Sequence, residues 1–269
     1  MKAYNKENTY FASDFHLGAP NIEHSRLREQ KILRWLSHIE ENAKTIYLVG
    51  DIFDFWFEYQ TVVPKGAVRL LGKLAQMSDA GIDIHFFVGN HDLWMADYFP
   101  EELGITVHHQ PIQVTIGTQR FFIGHGDGLG PEDHGYKRLR RIFVHPFCQW
   151  LFRWLHPDLG IRLAQYSSKA SRTAQKEPEQ FLGPDKEWLL LYSNFKLKKH
   201  PDLDYFIFGH RHLPLDILLE NGQTRYVNLG EWFDSCTYAV YDGQQLTLKA
   251  FENPAFKPFV YSTANPSTL

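Results

Sequence analysis

IYLVGDIFD, residues 46–54, is the stretch of sequence that decides the fold. Its first four residues are apolar and include β-branched and aromatic side chains, which is typical of a buried parallel strand. The Gly50-Asp51 pair places a carboxylate directly after that strand. Because open α/β sheets bind ligands at the carboxyl ends of their strands, we expect Asp51 to lie at a binding edge.

The same arrangement recurs at four other places along the chain. In each one a short apolar run ends in a residue that can bind a metal ion or transfer a proton. These residues are Asp14 and His16 after YFAS, Asn90 after IHFFVG, His125 after FFIG, and His210 and His212 after YFIFG. The sequence therefore predicts five strands that present Asp, Asn and His at one edge.

Two segments between the first three runs have helical spacing. Apolar side chains recur every three or four positions over residues 23–43, up to Ala43, and again from Val68 to Ala75, where Gly81 is a C-terminal cap signal. Strands that alternate with helices in this way predict an α/β fold with right-handed crossovers.

The pattern changes after His125. Residues 127–202 contain short amphipathic segments separated by prolines and a glycine, which predicts an inserted helical cap. Residues 215–251 alternate around Asn221-Gly222 and Asp242-Gly243, which predicts two hairpins that complete a second sheet. We therefore expect a core of residues 1–126 and 203–252, a cap of residues 127–202, and a C-terminal tail of residues 253–269 that runs over the surface.

Composition excludes several classes of protein. The 269 residues are 43% hydrophobic, which is ample for a large core, and the net charge of -3 argues against a nucleic-acid partner. Residues 127–200 carry 13 Lys or Arg against 8 Asp or Glu, so the predicted cap is basic. Two distant cysteines, no signal-peptide pattern and no apolar run of about 18 residues predict a cytoplasmic protein with reduced thiols and no spanning helix.

The polar residues at the strand ends form a set of nitrogen and oxygen donors without thiolates. Such a set suits two divalent cations about 3.5–4 Å apart, with Asp51 able to bridge them. Such donors suit Mn²⁺, Fe or Zn²⁺, and the donor types do not choose among these three metals. Asp54, Asp92 and Asp127 follow these donors closely in sequence, and we expect them to orient the imidazoles.

Taken together, the motifs Asp14-x-His16, Gly50-Asp51-x-x-Asp54, Gly89-Asn90-His91-Asp92, His125 and Gly209-His210-x-His212 resemble the signature of the calcineurin-like metallophosphoesterases. The resemblance implies an αββα sandwich with two metals at the sheet edge and attack on phosphorus by a hydroxide that the metals activate. It implies one metal on Asp14, His16, Asp51 and His212, and the other on Asp51, Asn90, His125 and His210.

Within that family, Gly50-Asp51-Ile52-Phe53-x-x-Trp56 and the cap are similar to the branch that cleaves the pyrophosphate bond of UDP-2,3-diacylglucosamine in lipid A biosynthesis. That resemblance implies UMP and an acylated sugar phosphate as products, and peripheral contact with the cytoplasmic face of the inner membrane through the aromatic cap. The implied substrate-binding residues are Asn90, Asp133, Tyr136, Arg140, Arg162, Ser168, Lys169 and Arg172.

His91 departs from that branch, which typically carries arginine at this position. Histidine can act as a general acid at neutral pH, whereas arginine cannot release its proton. We therefore assign catalytic roles to His91 and Asp51 and keep two alternatives open. One is a soluble metallophosphoesterase for another nucleotide or phosphodiester, and the other is a non-catalytic scaffold of the same fold. The oligomeric state is left undecided.

Overall fold

Two six-stranded sheets form the centre of the protein. The structure is a computed structural model that describes residues 7–130, 134–174 and 179–264. The first sheet contains β1 (Asn8–Ala12), β2 (Ala43–Val49), β3 (Asp83–Phe87), β4 (Thr106–His108), β10 (Thr237–Tyr241) and β11 (Leu246–Ala250). The second sheet contains β5 (Ile112–Ile116), β6 (Gln119–Ile123), β7 (Tyr205–Phe208), β8 (Pro214–Leu218), β9 (Arg225–Leu229) and β12 (Phe259–Ser262).

Seven helices are present in the described residues. They are α1 (Ile22–Ile39), α2 (Val68–Asp79), α3 (Tyr98–Leu103), α4 (His134–Phe143), α5 (Pro146–Arg153), α6 (Pro157–Ala174) and α7 (Trp188–Leu197). Among the described residues no helix combines the length and the apolar character that crossing a bilayer requires. Both cysteines, Cys148 and Cys236, are free thiols, as expected.

The core lies in three layers, which confirms the predicted αββα sandwich. Phe11 of the first sheet stacks on Phe121 of the second at 5.8 Å between ring centroids, so this cluster fills the space between the sheets. A second cluster lies between the first sheet and helices α1, α2 and α3. The third lies between the second sheet and α7, which contributes Leu189, Leu190 and Leu197.

The sheets explain why the donor residues meet at one end. β1, β2 and β3 are parallel neighbours, so Asp14, Asp51 and Asn90 follow strands that end at the same edge. β6 and β7 are likewise parallel in the second sheet and place His125 and His210 after their ends. The predicted edge is therefore shared by two facing sheets and is not the rim of a single one.

Several predicted boundaries are wrong. Ala43 was expected in the first helix, but α1 ends at Ile39 and Ala43 begins β2. Asn42 lies in the turn between them, where its amide donates to the carbonyl of Ile39 at 3.1 Å and its side chain accepts from Tyr10 Oη at 2.8 Å. The predicted second helix is confirmed as α2, and Gly81 follows it with a φ of 79°, where a glycine is favoured.

Both predicted hairpins are confirmed, but they belong to different sheets. β8 and β9 pair in the second sheet as expected, whereas β10 pairs antiparallel with β1 and brings β11 into the first sheet. Residues 259–262 of the predicted tail form β12, an unpredicted edge strand that pairs in parallel with β8. The short strands β4 and β5 were not predicted.

The division into core, cap and tail stays a prediction. Helices α4, α5 and α6 lie in the segment predicted as a cap, and most of their large apolar side chains are exposed. Helix α7 lies in the same segment but buries its side chains against the second sheet. The predicted range therefore contains one helix that packs as part of the sandwich.

Replacing a buried leucine of α1 tests the layer between this helix and the first sheet. Leu36 is fully buried, and Leu36→Ala should lower the free energy of unfolding by about 2–5 kcal/mol because it leaves a cavity. Leu27 lies on the same helix with 61% of its surface exposed, and Leu27→Ala should change that free energy by at most about 0.5 kcal/mol. Urea unfolding of both variants measures the difference, and equal losses would contradict the packing described.

Candidate metal centre

The loops that carry the donor residues are held in an uncommon backbone conformation. Asp14, His16, Asp51 and His210 all have positive φ, between 44° and 66°, which costs free energy for residues other than glycine. Backbone hydrogen bonds between the loops oppose that cost. The amide of Asp14 donates to the carbonyl of Gly50 at 3.1 Å, and the amide of His16 donates to that of Asp51 at 2.9 Å. Each loop therefore fixes the other.

Arg28 of α1 fixes the loop after β1 through hydrogen bonds to its carbonyl oxygens. Its buried guanidinium donates to the carbonyl oxygens of Phe15, His16 and Ala19 at 2.5–2.7 Å, and it lies over the ring of Phe233. Sequence reasoning missed this residue. The available signal was an arginine in the amphipathic helix that follows a donor motif. An arginine on the solvent-exposed face of such a helix would look the same in the sequence.

Asp92 has a different role from the one predicted. Its buried carboxylate accepts hydrogen bonds from the backbone amides of Gly89 at 2.7 Å and Ile52 at 2.9 Å, and longer ones from Asp51 and Phe53. It joins the loops after β2 and β3. Within the described part of the chain it forms no hydrogen bond to an imidazole. Burial, together with the nearby charge of Asp51, raises the pKa of Asp92 to about 7.

One group of donors contains Asp14, His16 and His212. The Nε2 atoms of His16 and His212 face each other at 3.2 Å, and Asp14 Oδ1 lies 3.4 Å from Nε2 of His212 and 3.6 Å from Nε2 of His16. Asp51 Oδ2 approaches the same imidazole of His16 at 3.8 Å. The ligand atoms of the three residues all lie within 4.8 Å of one another.

A second group contains Asp51, Asn90, His125 and His210. His125 Nε2 lies 3.3 Å from both Asp51 Oδ2 and Asn90 Oδ1, and His210 Nδ1 lies 2.8 Å from the same amide oxygen. The carbonyl of Val49 fixes the other nitrogen of His125 at 2.9 Å. Asp51 Oδ2 is close to both groups, so all seven predicted donors are brought together around one carboxylate.

The residues fit divalent cations. Asp14 Oδ1 is buried and accepts no well-aligned hydrogen bond within the described part of the chain. Two imidazole nitrogens at 3.2 Å from each other are satisfied together when a cation receives both lone pairs. The oxygen and nitrogen donors, with no thiolate, suit Mn²⁺, Fe or Zn²⁺.

The charges at the site are strongly perturbed. Burial opposes ionisation of Asp14 and Asp51, but the neighbouring imidazoles outweigh it and hold the pKa of each carboxyl below its usual range. Burial lowers the pKa of His16 and of His210 to about 4, so both rings are neutral at neutral pH. His212 keeps its proton more firmly, because Asp14 outweighs burial and raises its pKa to about 9.

His91 lies beside the first group. Its backbone amide donates to Asp51 Oδ1 at 2.9 Å, and its ring meets that of His16 edge-on at 4.9 Å. Its Nδ1 lies 3.1 Å from the carbonyl oxygen of Asp54 and 3.0 Å from Oγ of Ser168. The carboxylate of Asp54 faces the imidazoles of both His16 and His91 at 3.7–3.9 Å, and its orienting role stays a prediction.

The structure describes the side chains of four of the eight predicted substrate-binding residues, which are Asn90, Arg140, Arg162 and Ser168. Ser168 is buried against His91, whereas Arg162 of the same helix is exposed. Arg140 Nε lies 3.1 Å from Asp127 Oδ2, and the charge of Asp127 also favours the protonated forms of His125 and His210. Asp133 and the side chains of Tyr136, Lys169 and Arg172 lie outside the described residues.

Several known proteins are similar to this chain over most of its length. The family profile described as calcineurin-like phosphoesterase matches residues 8–214. UDP-2,3-diacylglucosamine hydrolase of Porphyromonas gingivalis is 37% identical over 260 residues, covering 92% of this chain and 99% of that protein. The hydrolase of the same name from Aeromonas hydrophila is 27% identical, covering 84% of this chain and 91% of its own. A solved phosphoesterase from E. coli superposes with a TM-score of 0.46 at 16% identity, covering 91% of this chain and 93% of its own.

A substitution at Gly89 tests how closely the loops pack around Asp51. A Cβ at Gly89 would lie 2.2 Å from Asp51 Oδ1 and 2.5 Å from the backbone nitrogen of Asp51, so Gly89→Ala must displace the central carboxylate. We expect that variant to lose bound Mn²⁺, measured by elemental analysis after dialysis. Gly72 lies inside α2 with nothing near its Cβ position, and Gly72→Ala should keep the metal and gain up to about 1 kcal/mol of stability. Full metal content in Gly89→Ala would contradict the geometry.

Proposed function

The chain belongs to the calcineurin-like phosphoesterase family of metal-dependent hydrolases, and from this premise we propose that it hydrolyses the pyrophosphate bond of UDP-2,3-diacylglucosamine to UMP and 2,3-diacylglucosamine 1-phosphate. The observation that carries the proposal is the 37% identity to a hydrolase named for this substrate. That match covers 92% of the chain, so it cannot omit the predicted cap as a whole. A likeness restricted to the metal centre would support the family alone.

We assign the metal ligands as the sequence predicted. Asp14, His16, Asp51 and His212 would hold one cation, and Asp51, Asn90, His125 and His210 the other, with Mn²⁺ as the proposed metal. When bound, such a pair supplies Lewis acidity to the phosphoryl oxygens and lowers the pKa of a water molecule. The geometry supports the assignment, because the ligand atoms of Asp14, His16 and His212 lie within 4.8 Å of one another, and so do those of Asp51, His125 and His210.

His91 is the residue that acts on the leaving group in this proposal. Asp54 and Ser168 hold its Nδ1, which leaves Nε2 as the nitrogen available to a substrate. Cleavage of a pyrophosphate releases a phosphate that needs no proton, so a cation at this position suffices. An imidazolium and the guanidinium of related enzymes can therefore serve the same purpose.

The exposed face of the cap supports a lipid-linked substrate. The large apolar side chains there are mostly 50–75% exposed, and they include Phe147, Trp150, Leu151, Trp154, Leu159 and Leu163. Phe147 and Trp150 stack at 5.9 Å, and Arg153 lies at the end of the same helix. Aromatic and basic side chains on one helical face favour the interface of a bilayer. We propose peripheral contact with the cytoplasmic face of the inner membrane.

A second candidate function rests on His91 alone. A histidine can protonate an alkoxide leaving group, which pyrophosphate cleavage does not require. Hydrolysis of another nucleotide or of a phosphodiester would use this capacity.

Release of UMP tests the proposed reaction directly. Purified protein with Mn²⁺ should release UMP from UDP-2,3-diacylglucosamine, and a chelator should abolish the release. Asp51→Asn should abolish both the activity and the metal content, because this carboxylate faces both groups of donors. Asp79→Asn, at an exposed position, should match the wild type. Robust turnover of a simple phosphodiester without UMP release would favour the second candidate function.

Two substitutions of His91 separate its role from that of the ligands. His91→Ala should retain the metals and slow turnover by a factor on the order of 10² to 10⁴, the range for a group acting on the leaving atom. His91→Arg should preserve most of the activity if the substrate is a pyrophosphate, since arginine places a cation beside the leaving phosphate. Turnover is measured with metal content in each variant, and loss of the metals from His91→Ala would refute the division between ligand and acid.

A further inference from the structure

A cavity of about 310 Å³ adjoins the metal centre on the side of His125 and Asp127. One wall is the end of β3, and another is the segment from His108 to Pro111 that joins the two sheets. Helix α4 of the predicted cap closes the third side. The volume of this cavity lies at the lower end of the range for small-molecule sites, roughly 300–1,000 Å³. Sequence reasoning did not assign the loop residues His108, His109 or Gln110 to any site.

Helix α4 gives this cavity a positive wall. Lys137, Arg140 and Arg141 all line it. Asp127 holds the guanidinium of Arg140 in place, and the carbonyl of Gly130 accepts from Lys137, so both side chains have fixed positions. Arg141 is more exposed and lies where the cavity opens. Fixed cations beside a centre that cleaves phosphate bonds suit the binding of a phosphorylated product.

The opposite wall offers a flat, uncharged ring. His108 stacks on Phe87 with 4.7 Å between centroids and is joined to His85 by a hydrogen bond of 2.9 Å. Burial, with the nearby His85, lowers the pKa of His108 to about 4, so the ring is neutral at neutral pH. Planar neutral rings of this kind stack on nucleobases. The neighbouring His109 adds a second imidazole at the rim.

The other side of the metal centre has the opposite character. There Phe152 of α5 packs against Phe57 at 4.7 Å and against Trp94 at 4.8 Å, and α6 brings Ser168 to His91. The same two helices carry exposed apolar side chains, among them Trp150 of α5 and Leu163 of α6. A substrate whose scissile bond lies at the metals must extend in two directions, one towards apolar groups and one towards cations and imidazoles.

We propose that the cavity between α4 and the His108–Pro111 segment binds the nucleoside 5′-phosphate half of the substrate. This assignment rests on the proposed function, since it divides a sugar-nucleotide substrate at its pyrophosphate. The cationic wall contacts the phosphate, and the imidazoles of the loop contact the base. The acylated half then lies on the side of α5 and α6.

Calorimetric titration of the Mn²⁺-loaded protein with UMP tests the assignment, with inorganic phosphate as the comparison. UMP should bind at least tenfold more tightly than phosphate, because the base adds contacts that phosphate lacks. Arg141→Ala should weaken UMP about threefold to tenfold. Arg138→Ala, on the same helix but outside the cavity, should leave the UMP affinity unchanged. His109→Ala should weaken UMP while His109→Phe, which keeps a flat ring, restores it.

The outcomes separate this assignment from the proposed function. UMP binding no tighter than phosphate binding, or equal losses in the Arg141 and Arg138 variants, would overturn the assignment even if UDP-2,3-diacylglucosamine is hydrolysed. UMP binding that depends on Arg141 and on a ring at position 109, in a protein that does not hydrolyse the lipid substrate, would uphold the cavity and reject the substrate.

Discussion

Asp51 carries a negative charge although its side chain is buried, and the surrounding loops provide groups that stabilise that charge. The backbone amide of His91 and the imidazole of His125 both approach the carboxylate. Asp14 is a second buried carboxylate nearby, and two buried negative charges require positive charge beside them. Bound cations would supply such charge, and they would then stabilise the loops as well as take part in the chemistry.

The same constraint explains why glycines precede the donor residues. Gly209 lies where a Cβ would meet Asp14 Oδ2 at 2.6 Å, and Gly50 lies where one would meet the ring of His125. Side chains at these positions would push the donors apart. The Gly-Asp and Gly-His pairs of the sequence thus mark positions where loops from the two sheets lie close together. This close packing brings together donors that are distant in sequence.

Much of this could be predicted from the sequence, because strand ends and metal donors have local signatures. All seven donors and the sandwich follow from short apolar runs that end in polar residues. Partners across the fold have no such signature. The pairing of β10 with β1, the parallel docking of β12 and the three carbonyls bound by Arg28 depend on contacts between distant segments. Asp92 was misassigned for a related reason, since its partners are backbone amides that any residue supplies.

The hydroxyl of Ser168 ties α6 to the imidazole of His91 and to the loop carbonyl of Asp54. The orientation of this imidazole therefore depends on where the helix rests. A displacement of α6 would remove this hydroxyl from the ring nitrogen, which also contacts the carbonyl of Asp54. The position of a helix and the orientation of a side chain beside the metal centre are thus coupled through one hydroxyl group.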